Sequence, residues 1–348
     1  MTRLLGRYAL ISIVAAIGTH SAVLGQKDPA GPEFQVNTHT VSAQRFPAVA
    51  AEADGDFVIA WDSGNQDGSS YGIFARQFSS AGVSLAIEFQ VNIFTTAAQR
   101  LASVAVDADG DFVIAWRGSS LAGAYEVFLS RFSSAGTLLT GGIQANTYTT
   151  GQQLNPAVAS EADGDFVVTW FSATQDGATG GIFGRRFSSA GTPLASEFQI
   201  NVYTTDDQRN PSVSAAANGD FIVAWESYLQ DGASWGVFSR SFSSAGAPLT
   251  SELQVNAYTV DDQSAPSVAV STSGQFVVVW HSSLQDGYSR GVFAHLFSSS
   301  GAALANEFQI SAYTTGRERN PSVAVGADGD FIVAWDDAAP VAQNVFAR

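Results

Sequence analysis

The chain has 348 residues, 45% of them apolar, with 32 acidic against 16 basic side chains and a formal charge of −16. Such an acidic surface argues against nucleic acid and anionic membranes as partners, since both recruit basic patches. Cysteine is absent, so disulfides are excluded and a large buried core has to hold the fold.

Residues 1–25 read as a secretory signal. Arg3 and Arg7 form the basic start, Ala9 to Gly18 a short apolar run, and Val23 and Gly25 the small residues before a cleavage point at Gln26. The apolar run is too short to span a bilayer. We therefore expect export to an extracellular, periplasmic or cell-surface location, with no membrane span. Residues 26–32 read as a linker.

From residue 33 onward one unit of about 55 residues recurs six times. It is marked by Trp61, Trp116, Trp170, Trp225, Trp280 and Trp335. Each copy predicts four short strands in order: P-S/A-V-x-V, F-V/I-V/I-x-W, G-I/V-F-x-R-x-F and E-F-Q-V/I-N. Turns rich in Gly and Asp separate them, as antiparallel hairpins require. The second strand is apolar at nearly every position, which predicts cover on both faces. The third alternates, as in Phe183, Arg185 and Phe187, and belongs nearer a rim.

These features predict an all-β fold: a six-bladed β-propeller with four-stranded antiparallel blades. The first segment, Glu33 to Asn37, has the pattern of a fourth strand with no blade before it. The last, Asn344 to Arg348, has the pattern of a third strand with no fourth after it. The expectation is that the N-terminal strand completes the last blade and closes the ring, removing both open edges. A monomer is expected.

The strings VNTYTT, QRNPSVA, ADGDFVIAW and QDGxxxGIFxRRF resemble a repeat of bacterial secreted and surface propeller proteins, and more loosely the FG-GAP and Asp-box propellers. The resemblance covers residues 33–348 and implies an extracellular location rather than a particular activity.

In such a fold the loop before the first strand and the loop between the second and third strands share one face, at the channel mouth. Two sets of candidates fall there. Arg45, Arg209 and Arg319 stand two residues before the first-strand proline, with Arg100 at the same place before Ala102, and Arg319, Arg45 and Arg100 sit on consecutive blades. Converging guanidiniums suit a carboxylate or sulfate. The alternative is that each pairs with a loop acid such as Asp67, Asp206, Asp207, Asp231 or Asp286. The second set is the Q-D-G loops, with Asp67, Asp176, Asp231 and Asp286. Aromatic neighbours Tyr71, Trp235 and Tyr288 make a sugar-binding rim one reading and plain turn chemistry the other.

On the opposite face, the D-x-D-G-D turns present oxygen donors, richest at Asp107, Asp109 and Asp111, which invites Ca²⁺. A type I′ hairpin is the competing explanation. His39, His281 and His295 show no metal-ligand spacing, and no nucleophile or phosphate-loop motif occurs. The sequence therefore favours a non-catalytic extracellular module that binds protein or glycan, without a cofactor. The alternative is a sialidase-like glycoside hydrolase using the arginine cluster at the channel mouth.

Overall fold

The structure is a computed structural model and describes residues 33–119, 123–312, 316–338 and 343–348. The signal and linker readings at 1–32 lie outside these. Among the described residues there is no helix, and none long and apolar enough to cross a membrane.

Six antiparallel sheets follow one another along the chain, giving the expected six-bladed propeller. In blade one the strands Gln44–Ala51, Phe57–Gly64, Tyr71–Phe78 and Phe89–Gln90 pair in sequence order. Blades two to five repeat this order. The sheet of blade six holds three strands, Glu318–Val325, Phe331–Ala338 and Gln343–Ala347.

Residues 33–38 make the contacts by which a fourth strand grips the blade after it. The Arg76 guanidinium donates to Val36 O at 3.0 Å, as Arg185 does to Ala145 O and Arg240 to Ile200 O. The amide of Thr38 donates to Glu88 at 2.6 Å, as that of Thr147 does to Glu197. Phe34 packs on Phe78 with ring centroids 5.2 Å apart, as Phe198 does on Phe242. The segment thus takes the fourth-strand place ahead of blade one through these contacts, while the sheet of blade six, among the described residues, stays three-stranded.

The second strands are buried as their composition requires. Phe166, Val167, Val168 and Trp170 are fully buried. The Trp face of blades two to six packs on the blade before it: Trp170, Phe166 and Phe183 share a core with Val113, Ala115 and Leu129 of blade two. Cores of this kind fill the junctions from blades one–two to five–six. The arginine of the third strand does not simply face water. Arg185 bonds Ala195 O of its own blade and Ala145 O of the previous one, so it rivets two blades.

The D-x-D-G-D turns are not type I′. In residues 52–56 only Gly55 has positive φ (92°), and Glu52 N donates to Asp56 O at 2.7 Å. This is a three-residue loop whose glycine takes the left-handed position. The acids serve the turn: Asp54 accepts from the Asp56 amide, and Asp56 from the Ser80 amide.

Candidate functional site

Each first strand carries a bulge at the channel mouth, where its register slips. The bulged residues are Phe46, Leu101, Asn155, Asn210, Ala265 and Asn320, all with φ between 49° and 57°. Left-handed backbone is tolerated by Asn but strained for Phe, Leu and Ala. Bulges of this kind re-aim side chains at the ends of sheets.

Here they turn the preceding arginine toward the residue that follows a second-strand tryptophan. Arg100 meets Asp62 at 3.2 Å, Arg209 meets Glu226 at 2.6 Å and Arg319 meets Asp336 at 2.8 Å. Asp62 also accepts the Leu101 amide at 2.8 Å, and Glu226 the Ala265 amide at 2.9 Å. These carboxylates therefore reach from one blade to the bulge of the next. Burial pushes the Asp62 carboxyl up to about 6, against the pull of Arg100. Replacing Asp62 with Ala leaves the half-buried Arg100 and the Leu101 amide without their acceptor. We expect a loss of about 2–3 kcal/mol, read by urea denaturation.

Three of the four arginines thus pair with acids, though not with the loop acids that spacing suggested, while Arg45 lies over the Tyr71 ring. The partners occupy the position after each Trp, which reads Asp62, Arg117, Phe171, Glu226, His281, Asp336 around the ring. That variability was the available signal. Nor do Arg45, Arg100 and Arg319 form one triad. Arg45 and Arg100 both lie over Tyr71, at 5.8 and 4.7 Å from its centroid, whereas Arg319 lines a separate cavity. The Trp235 ring, expected to stack on sugars, is covered by the Arg209 guanidinium at 3.7 Å.

The Q-D-G acids face inward rather than forming a rim. Asp67 accepts the Ser69 amide at 3.1 Å and the Asn92 side chain at 3.1 Å. Asp231 does the same with the Ala233 amide and Asn256. Asp176 and Asp286 cap their own turns at Ala178 and Tyr288. The glutamines brace Glu88, Glu197, Glu252 and Glu307. On the opposite face, Asp107 accepts the amides of Asp109 and Asp111 at 3.0 Å, and Asp111 accepts that of Ser134. Among the described residues no three acidic or histidine side chains are placed to hold a metal ion. The carboxylates of Asp107 and Asp111 are thus engaged by backbone amides of the turns.

Departures from the repeat concentrate at the junction of blades five and six. In blade four, Asn256 closes the corresponding gap, donating to Asp231 at 3.0 Å and to Gln263 of the next blade at 3.1 Å. At the end of blade five the equivalent residue is Ser311. Its hydroxyl still accepts the Val292 amide at 3.1 Å, but it has no amide to donate. The glutamine it would meet is replaced by Glu318, and the following strand carries Asp337 where blade five has Ser282. Asp286 Oδ2 and Glu318 Oε2 are both buried without a hydrogen-bond partner. Gly316 admits the crowding: a Cβ there would lie 2.6 Å from Glu318 Oε1 and 2.8 Å from Asp337 Oδ1.

This environment sets the protonation states. Burial, then the neighbouring Asp337 and Asp286, pushes the Glu318 carboxyl up to about 7. Asp337 Oδ1 accepts the Arg317 amide at 3.0 Å. His281 is pushed down to about 3 by burial and by Arg290 and Arg319, so it is a neutral imidazole near neutral pH. Beside them, on the loop face, opens a cavity of about 480 Å³ lined by Arg290, Arg317, Arg319, Tyr288, Leu284 and Ser289. None of Ser311, Glu318, Asp337, Arg290 and Arg317 stood out in the sequence. Each becomes visible only when the six copies are aligned position by position.

No known protein-family profile matches the chain, and no curated protein matches it by sequence. Its fold is similar to several solved propellers. One is a protein of unknown function from Dyadobacter fermentans, with TM-score 0.61, 12% identity, and coverage of 87% of this chain and 93% of that one. A second is the Penicillium chrysogenum α-L-arabinanase complexed with arabinobiose, with TM-score 0.54, 12% identity, and coverage of 89% and 94%. A third is a Hadza microbial sialidase, with TM-score 0.53 and 11% identity, covering 84% of this chain and 63% of that one. The expectation of a non-catalytic binding or scaffold module is set aside on this finding, because the named activities among these neighbours are those of enzymes.

Proposed function

We propose that the chain is a glycoside hydrolase working at the junction of blades five and six, on the loop face. The observation that carries this reading is Glu318. It is an acid where the five other blades have glutamine, it keeps its proton to about pH 7, and its Oε2 has no protein partner. Cleaving a glycosidic bond needs a carboxyl group still protonated at working pH to protonate the leaving oxygen. It also needs a second, ionised carboxylate to act on the anomeric carbon or on water. Glu318 supplies the first, and Asp337, whose Oδ1 accepts the Arg317 amide, is the carboxyl group beside it placed for the second role. Unlike environments acting on adjacent carboxyls are the usual means of dividing these roles. The arabinanase and sialidase neighbours agree with a glycan substrate. The reading keeps the arginine-assisted hydrolase suggested by the sequence but moves it from the Arg45–Arg100–Arg319 set to this junction.

The test is turnover of fluorogenic arabinofuranosides, sialosides and uronides, and of their polysaccharides, by the wild type and by E318Q. Since Gln44, Gln99, Gln153, Gln208 and Gln263 fill this position elsewhere, E318Q restores the repeat and keeps the fold. We expect hydrolysis to fall by about 10³-fold or more. Wild-type rates in E318Q, or no turnover of any glycan by the wild type, contradict the reading. The signal pattern supports action outside the cytoplasm, and a secreted form beginning at Gln26 is the corresponding expectation for N-terminal sequencing.

A further inference from the structure

We propose that the cavity between blades five and six binds the carboxylate of an acidic sugar, with Arg290 and Arg317 as its cationic donors and Tyr288 as its apolar platform. The word sugar rests on the glycoside hydrolase reading; the carboxylate rests on the guanidinium pair alone.

Acids outnumber bases two to one in this chain, yet among the described residues only five arginines form an ion pair. Arg100, Arg131, Arg186, Arg209 and Arg319 each lie within 4.0 Å of a carboxylate oxygen. The guanidiniums of Arg76, Arg185, Arg240 and Arg348 donate to backbone carbonyls instead, and those of Arg45 and Arg117 lie over tyrosine rings. Arg290 and Arg317 line one cavity, and among the described residues neither guanidinium has a partner of any of these kinds. The backbone sets them side by side, since Arg290 and Arg317 face each other across an isolated parallel β-bridge between the two blades. Residues so placed have side chains within reach of a single small anion.

Neither guanidinium forms an ion pair with the acids around it. Blade five carries the neutral His281 where blades one, four and six carry Asp62, Glu226 and Asp336. Of the two strand-two acids of blade six, Asp337 accepts the Arg317 backbone amide at 3.0 Å but forms no ion pair with either guanidinium, and Asp336 is already engaged by Arg319 at 2.8 Å and by the Asn320 side chain at 3.0 Å. Two guanidiniums with free N–H groups suit a planar carboxylate, which each can hold by paired hydrogen bonds.

The rest of the cavity suits a sugar ring. At about 480 Å³ it lies within the range of small-molecule sites. Tyr288 is 61% exposed and Leu284 51% exposed, which leaves an aromatic face and an aliphatic edge for the C–H face of a pyranose. Ser289 adds a hydroxyl.

The aligned copies provide variants that preserve the fold. Arg290 stands where blades one and two have Tyr71 and Tyr125, and Arg317 where they have Ala43 and Ala98. Calorimetric titration with a galacturonate tetrasaccharide, its methyl ester and a sulfated neutral tetrasaccharide tests the site without requiring turnover. We expect the acid to bind and the ester not to. Affinity should fall at least tenfold in R290Y and in R317A, weaken between 50 and 300 mM NaCl, and persist in E318Q. Equal binding of acid and ester, undiminished binding in both variants, or tighter binding of the sulfated sugar overturns the proposal. If uronate binds as expected but no glycan is ever cleaved, the hydrolase reading fails and the anion site stands.

Discussion

E318Q is expected to be more stable than the wild type at pH 8 by about 2 kcal/mol, and close to it in stability at pH 4. The carboxyl of Glu318 titrates near pH 7 in the folded chain against an ordinary value of 4.5. Below pH 4.5 it is neutral in both states and does not oppose folding. Between 4.5 and 7 the unfolded chain releases the proton while the folded chain holds it, so wild-type stability declines as pH rises. Above 7 the folded state carries the whole penalty of a buried carboxylate beside Asp337 and Asp286. Glutamine removes that penalty and supplies an amide. In four other blades the same glutamine donates to the loop before it: Gln99 to Thr96 O, Gln153 to Thr150 O, Gln208 to Thr205 O and Gln263 to Val260 O. Urea melts of both proteins from pH 4 to 9 measure the difference. A gap that is flat with pH would mean that Glu318 titrates in the fold as an ordinary carboxyl group does. A variant that gains stability while losing turnover is the expected mark of a group retained for chemistry at the expense of the fold.

The second large effect lies in the blade junctions. Trp170→Ala should cost about 4 kcal/mol, because the side chain is fully buried in a core shared by blades two and three, and little can collapse into the space left. Trp61→Ala should cost about half as much. Trp61 holds the same place in blade one and bonds Gln44 at 2.9 Å. Yet among the described residues no shared apolar core forms between blade one and blade six; the contacts of residues 33–38 with blade one stand at that junction instead. Equal losses at the two tryptophans would show that the sixth junction is packed like the others.

The propeller was readable because its physics repeats. Six evenly spaced tryptophans, second strands apolar on both faces and glycine at every tight turn each determine a local structure, and six copies average out the exceptions. The offset pattern at 33–37 even foretold which segment would take a fourth strand's place. The site was hard to read for the opposite reason. Arg319 drew attention because it matches Arg45 and Arg100, but a bulged backbone turns each of these side chains differently from what strand alternation implies. The informative residues are those that break the repeat. A Gln-to-Glu change at 318, an Asn-to-Ser change at 311 and a Ser-to-Asp change at 337 look ordinary one at a time. Their meaning arises when folding brings them together, strips them of water and leaves two carboxyl oxygens unpartnered. The Q-D-G aspartates erred the other way, since repetition made them conspicuous although their work is to close turns and hold Asn92 and Asn256.

The pH dependence of kcat/KM, measured on the best glycan substrate from pH 4 to 9, tests the central claim most directly. If Glu318 is the proton donor at the junction of blades five and six, the rate falls above about pH 7 with the loss of one proton, and E318Q shows no turnover while still binding the substrate. A rate that stays at its maximum to pH 9, or an E318Q enzyme with the wild-type profile, would place the chemistry elsewhere.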